Sequence, residues 1–300
     1  MLRFWWPPIS RQRGTSDNAM KIKIKFSKSL FGYILAGVTI LVVVLYLRFP
    51  GEMIAGYLIS TVAAKHPEAL LNIDAVNPTL PPGMKIRNVT LGFRESPQAT
   101  LHADYIDLKP DYLAIFQGKM QVLVNAATYG GAMNGHLLAT EQTFSKGVLQ
   151  GELRFNNLNM EKIGYLRERL NRLVSGRLKG TLNFNGSVNN PAAANGRLTI
   201  LATNGSYALM TPVMGIDKLD YSRIDGEMTL QNGTLKIVRM KLTGDKFRAE
   251  LNGDIALNGA DLENSPMELL AAIEIPGQQG EKISLVINGS LGNPTARIRP

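Results

Sequence analysis

Leu182-Asn-Phe-Asn-Gly-Ser-Val-Asn-Asn-Pro-Ala-Ala193 returns 103 positions later as Leu285-Val-Ile-Asn-Gly-Ser-Leu-Gly-Asn-Pro-Thr-Ala296. Seven of the twelve positions are identical, and Phe184 with Ile287 and Val188 with Leu291 keep apolar character at two more. Each copy reads as a strand that ends in a sharp Asn-Gly turn, followed by an Asn-Pro turn whose proline cannot donate to a ladder. Gly186, Pro191, Gly289 and Pro294 are the structural turn residues of this reading. Stacked strand-turn units build elongated sheets, and one face of such a sheet must be buried or covered by a ligand.

Outward from the repeat, the same punctuation continues. Eight Asn-Gly dipeptides begin at Asn134, Asn185, Asn195, Asn204, Asn232, Asn252, Asn258 and Asn288. Asn-Gly supplies positive φ at both central positions of a type I′ turn, so a long antiparallel meander is expected. Further upstream the pattern has period two, with Met84, Ile86, Asn88 and Thr90 alternating with Lys85, Arg87, Val89 and Leu91, and Leu101 to Leu108 continuing it. The alternation is imperfect and apolar residues fall on both faces, as in strands of a curved, partly covered sheet. Two helices interrupt the strands. Asn159–Val174 places Met160, Ile163, Leu166, Leu170 and Leu173 on one stripe before Gly176. Its arginines, Arg167, Arg169 and Arg172, suit either a solvated face near the helix C-terminus or a patch for anionic head groups. Glu52–Lys65 carries Met53, Ile54, Tyr57, Leu58 and Val62 at helical spacing, which fits a helix on a membrane surface or a cap on the start of the sheet.

The amino-terminal part is of another kind. Leu30–Leu47, LFGYILAGVTILVVVLYL, has no charge over eighteen residues, and a helix of that length covers most of a hydrocarbon core of about 30 Å. Arg3, Arg11, Arg13, Lys21, Lys23, Lys25 and Lys28 precede it against Asp17 alone, which accounts for six of the nine formal positive charges. The positive-inside bias then places the tail in the cytoplasm and the rest across the membrane. A cleaved signal peptide has an apolar stretch of about 7–15 residues and a small-residue cleavage site, whereas this run is longer and leads into Arg48-Phe49-Pro50-Gly51. The expected organisation is a basic tail over 1–28, a transmembrane helix over 29–48, a β-rich region over 49–155 and a second over 156–300 that holds the repeat. In fold class the chain is mainly β with a few helices: one amino-terminal span, then an elongated, curved antiparallel sheet.

The succession Gly176-Arg-Leu-Lys-Gly-Thr-Leu-Asn-Phe-Asn-Gly-Ser, Asn195-Gly-Arg-Leu-Thr-Ile, Gly226-Glu-Met-Thr-Leu-Gln-Asn-Gly-Thr-Leu-Lys-Ile and Leu251-Asn-Gly-Asp-Ile-Ala-Leu resembles the carboxyl-terminal part of AsmA-like envelope proteins. The single anchor, the Phe49-Pro50-Gly51 segment after it and the length of 300 residues are most similar to the type II secretion system protein N family. The resemblance runs over roughly residues 49–300. It implies an inner-membrane protein with a periplasmic β domain, acting as a non-catalytic accessory of type II protein secretion with other secretion subunits as partners. The alternative it implies is an AsmA-like role in lipid binding, lipid transfer or outer-membrane homeostasis, with phospholipid as the ligand.

Residues that would carry other chemistry are sparse. His66, His102 and His136 are far apart in sequence, and there is no cysteine, which excludes disulfides and thiolate metal sites. No nucleophile elbow, phosphate loop or His-Glu-x-x-His stretch occurs. Asp217, Asp220, Asp225 and Glu227 gather around Tyr221 and Arg223 without a calcium-loop spacing, so strand surface charge is the reading. Basic residues beyond the anchor are interspersed with acids, which argues against a nucleic-acid surface. The expectation is no enzyme, no cofactor and no metal.

Overall fold

The computed structural model describes residues 28–139, 148–170, 172–187, 190–213, 216–258, 264–274 and 282–299. Apart from Lys28, the basic tail expected over 1–28 lies outside the described residues. The chain divides into two compact units, Met1–Arg48 and Phe49–Pro300.

In the first unit the apolar run forms α1 (Lys28–Leu47). Among the described residues no helix is long and apolar enough to cross a membrane, and the described side chains of α1 are those at 32–44 and 46–47. The span expected over 29–48 therefore rests on the sequence of the segment.

The second unit is a single sheet of fourteen antiparallel strands arranged in strict chain order. They are β1 (Ala69–Thr79), β2 (Gly83–Phe93), β3 (Ser96–Pro110), β4 (Met120–Thr128), β5 (Gly131–Ala139), β6 (Val148–Asn159) and β7 (Arg177–Ser187), followed by β8 (Asn190–Val213), β9 (Ile216–Gln231), β10 (Thr234–Thr243), β11 (Arg248–Ala256), β12 (Pro266–Glu274), β13 (Lys282–Ser290) and β14 (Pro294–Ile298). Each strand from β2 to β13 pairs with the one before and the one after, as antiparallel neighbours joined in chain order do. The boundary expected at residues 155 and 156 falls inside β6, which pairs with both β5 and β7, so the two β-rich regions are one sheet.

Helices hold three positions on this sheet. α2 (Gly51–Lys65) runs beside β1. Ala55 is buried against Ile73, Val76 and Ile86, with Ile54 and Leu58 packed around them, while Met53 and Tyr57 stay exposed. A Cβ on Gly51 would stand 2.1 Å from the Val76 carbonyl oxygen, so only glycine allows this approach. Of the two roles left open for α2, its packing is the cap: it covers the apolar side chains at the start of the sheet. α3 (Tyr112–Phe116) sits in the β3–β4 connection, where the Asp111 carboxylate accepts from the backbone N–H groups of Leu113 and Ala114.

The long helix expected over Asn159–Val174 is shorter and broken. A 3₁₀ turn, Met160–Lys162, is capped by the Asn159 side chain, Ile163 is extended, and α4 (Gly164–Leu170) follows. The break turns Met160 and Ile163 together into a core with Ala202 and Tyr221, and α4 packs back on β3 and on the end of β2, where Tyr165 lies 5.6 Å from Phe93 between ring centroids.

Candidate functional site

The Asn-Gly dipeptides do not generally make the hairpin turns. Asn232-Gly233 does, with φ of 50° and 76° between β9 and β10, and Tyr129-Gly130 forms a similar turn between β4 and β5 at 50° and 70°. Asn134-Gly135, Asn195-Gly196, Asn204-Gly205 and Asn252-Gly253 lie inside strands instead. Gly186 and Gly289 are the next-to-last residues of β7 and β13, paired with Leu149 and Pro294 respectively, and Gly289 has φ +110°. Pro294 opens β14, and Pro191 is the second residue of β8. The two repeat copies thus occupy matching strand-turn-strand units, but their turns fall after the Asn-Gly-Ser triplets rather than within them.

The glycines inside strands mark one face. Gly135, Gly151, Gly180, Gly226 and Gly253 share that face with large apolar neighbours that lean across them. A Cβ on Gly151 would meet the Phe184 ring at 2.8 Å, one on Gly180 the Phe155 ring at 2.5 Å, and one on Gly253 a Leu269 methyl at 2.9 Å. A large residue folded over a cross-strand glycine keeps the sheet surface closed while letting the backbone curve.

Following the register gives the rest of this face. From Gly180 in β7 it passes to Leu182 and Phe184, then through cross-strand partners to Leu198 and Ile200 in β8, Met228 and Leu230 in β9, Leu235 and Ile237 in β10, Ile255 in β11, Leu269 in β12 and Ile287 in β13. In the other direction it passes through Leu153, Met133, Ala126 and Ile106 to Ile86 and Val76. Every strand contributes apolar residues to it.

The expected scatter of apolar residues over both faces comes from phase shifts. Asp74, Asn88 and Asp104 stand opposite one another in β1 to β3, Asn88 has φ +47°, and its amide donates to the Asp74 carboxylate at 2.7 Å. Met84 and Ile86 before this point therefore share a face with Val89 and Leu91 after it. Asn157 and Asn204, at φ 58° and 50°, and a bulge at Val238 realign β6, β8 and β10 in the same way.

Burial on this face varies along the sheet. α2 covers its start, and α4 with the 3₁₀ turn covers one end of its middle strands. On β10 to β12, Ile237, Ile255 and Leu269 are each 5% exposed among neighbours from the same face, including Met228, Leu251 and Ile287. A side chain on a flat single layer stays open on its outer side, so burial by same-face neighbours requires the face to curl inward. Between these regions Leu137, Leu153, Leu182, Phe184, Leu198 and Leu230 are half-buried. Thirteen interstrand steps of about 4.8 Å carry the apolar face about 60 Å along the sheet.

The opposite face is mostly polar, although Leu123, Leu201 and Leu270 also lie on it. The acidic group around Tyr221 is engaged there: Asp225 binds Arg223 through two bonds of 2.6 and 2.7 Å, Asp220 pairs with Lys218, and Glu227 with Arg197. The Arg223 guanidinium holds the Asp225 carboxyl below its usual range. A hollow of about 490 Å³ across β5 to β9 is lined by His136, Gln150, Glu152, Asn183, Arg197 and Gln231, among others, and its charged groups are paired, Glu152 with Arg154 at 2.5 Å. His66 bonds Glu68 and His102 bonds Thr90, and among the described residues no three metal-ligating side chains converge.

In comparisons with protein-family models, curated proteins and solved structures, nothing matched this chain.

Proposed function

We propose that the chain is a non-catalytic, membrane-anchored envelope protein whose sheet holds lipid acyl chains along its apolar face. The observation that carries this reading is the continuity of that face over all fourteen strands, half-buried in its middle and curled inward toward β12. A subunit that only docked neighbours would need a closed core, whereas a carrier needs an open apolar strip, where each methylene removed from water contributes about 0.8 kcal/mol. The uncharged run of α1 and the basic tail before it support a single span with the sheet domain outside the cytoplasm, and the resemblance to AsmA-like proteins points the same way.

The test is lipid extraction and mass spectrometry on the full chain purified in mild detergent. Phospholipid above the level carried by an unrelated single-span protein is expected, and Leu198→Asp, set in the middle of the face, should lose most of it while keeping the β spectrum. Equal lipid in both variants would sink the reading.

A second role, accessory subunit of type II secretion, is favoured by β14, whose five residues are all exposed and which pairs on one side only. Such an edge can accept a partner strand.

A further inference from the structure

At one end of the strands the domain exposes an apolar cluster that adjoins the lipid face, meeting it at Met120, the first residue of β4. The β1–β2 turn, Leu80 to Pro82, and the β3–β4 connection, with α3, lie side by side there, joined by a bond from the Tyr112 hydroxyl to the Pro82 carbonyl. Phe116 is 88% exposed, Leu113 75%, Leu80 66%, Met120 56% and Ile115 49%. Single exposed apolar residues are ordinary, but five on two adjoining loops form a contiguous patch that marks an interaction site. The patch is held in place rather than collapsed: Asp111 caps α3, the Asp111 N–H donates to the Gln121 carbonyl, and Ala114 is buried beneath the exposed row.

We infer that this patch inserts into the head-group and acyl boundary of the lipid bilayer. Covalent geometry argues for that occupant. Gly51 lies against Val76, and β1 ends three residues later at Thr79, so the chain that precedes Phe49, with its uncharged run, enters the sheet at the end that bears the patch. The chemistry agrees. Residues 112–120 contain no acid, and their single charge is Lys119, whose long stem can reach back to phosphate. Tyr112 and Phe116 are of the kind that settles at a membrane interface, where apolar side chains sink about 5–10 Å.

The inference rests on the anchored reading above, and the experiment separates the two. The chain has no cysteine, so a single Met120→Cys variant of the full chain can carry an environment-sensitive fluorophore, with Lys246→Cys, in the β10–β11 turn at the opposite strand end, as reference. In vesicles of phosphatidylethanolamine and phosphatidylglycerol containing shallow nitroxide-labelled lipid, the probe at 120 should lose about half its emission or more, as insertion to that depth requires, and the probe at 246 little. Leu113→Asp with Phe116→Asp should abolish the quenching at 120. A probe at 120 that reports water, or one that is shielded yet not quenched by lipid because a second copy or another protein covers it, overturns the inference. Alkaline extraction of the same vesicles reports on α1 alone, so loss of the anchor reading would appear there and not in the quenching.

Discussion

Asn88 shows how one backbone angle decides what a sequence seems to say. Read at strict period two, Met84 and Ile86 fall on one face and Val89 and Leu91 on the other. At φ +47°, a conformation asparagine tolerates better than most residues, the strand shifts phase and all four reach the same side. Nothing in the letters Arg-Asn-Val announces that shift; it comes from three facing residues, Asp74, Asn88 and Asp104, brought together by pairing. Tyr221 is a second residue whose role is tertiary. It stood in the sequence among acids, yet its side chain is buried in the core opposite them, and its hydroxyl donates to the Ser175 carbonyl at 2.6 Å. Burial pushes its phenol up to about 12. In the unfolded chain it ionises near 10, so the unfolded state loses its proton first as pH rises. The stability this group contributes is whole below about pH 10 and is lost towards pH 12. Tyr221→Phe should therefore cost about 1 kcal/mol at pH 7 and show a shallower alkaline decline, which denaturant unfolding at pH 7 and pH 11 would measure.

Among elements, the strands were readable and their turns less so. Alternation of Leu178, Gly180, Leu182 and Phe184 against Lys179, Thr181, Asn183 and Asn185 marks β7 plainly, and the second copy of the repeat marks β13. The Asn-Gly pairs misled because the glycine was serving the partner strand: Gly180, which no dipeptide flagged, and Gly253, which one did, both make room for a neighbour's side chain. Gly180→Val should prove the point. Its Cβ would stand 2.3 Å from the Thr199 carbonyl oxygen and 2.5 Å from the Phe155 ring, with backbone on one side and an aromatic on the other. A loss of about 2–3 kcal/mol is expected, whereas Gly92→Ala, with nothing nearer than 3.9 Å, should be close to neutral in the same thermal melts. α3 had a signal in Pro110-Asp111, the latter a good cap, but a five-residue helix has too little period to find. The helix over 159–174 was overextended because Ile163 fits the stripe, although its extended backbone ends the 3₁₀ turn.

For the molecule as a whole, the antiparallel meander and the amphipathic helix before it were legible, because each is written in local pattern, while the choice between the two roles of that helix needed its packing. That the meander is one uninterrupted sheet was not, since the expected break between 155 and 156 set off the region that holds the repeat and rested on no residue of β6. The apolar face was half legible: its residues could be counted, but their convergence needed the register. Strict neighbour pairing makes the sheet nearly additive along its length, as in repeat proteins. A chain ending at Glu274, without β13 and β14, should keep the β spectrum of the remaining twelve strands and melt cooperatively; its loss of structure throughout, seen by circular dichroism, would show that the sheet closes on itself in a way the strand order does not record.

The same strand order bears on how the chain is made. Almost every pairing joins a strand to the one synthesised just before it, so little loop entropy opposes each addition. The sheet can therefore zip together hairpin by hairpin in the order in which its strands are synthesised, with α2 already seated on β1 before β3 appears. The departure from this sequence is α4, which must wait for β6 and then reach back to β3, making its docking the first event that tests whether everything upstream has been laid down in register.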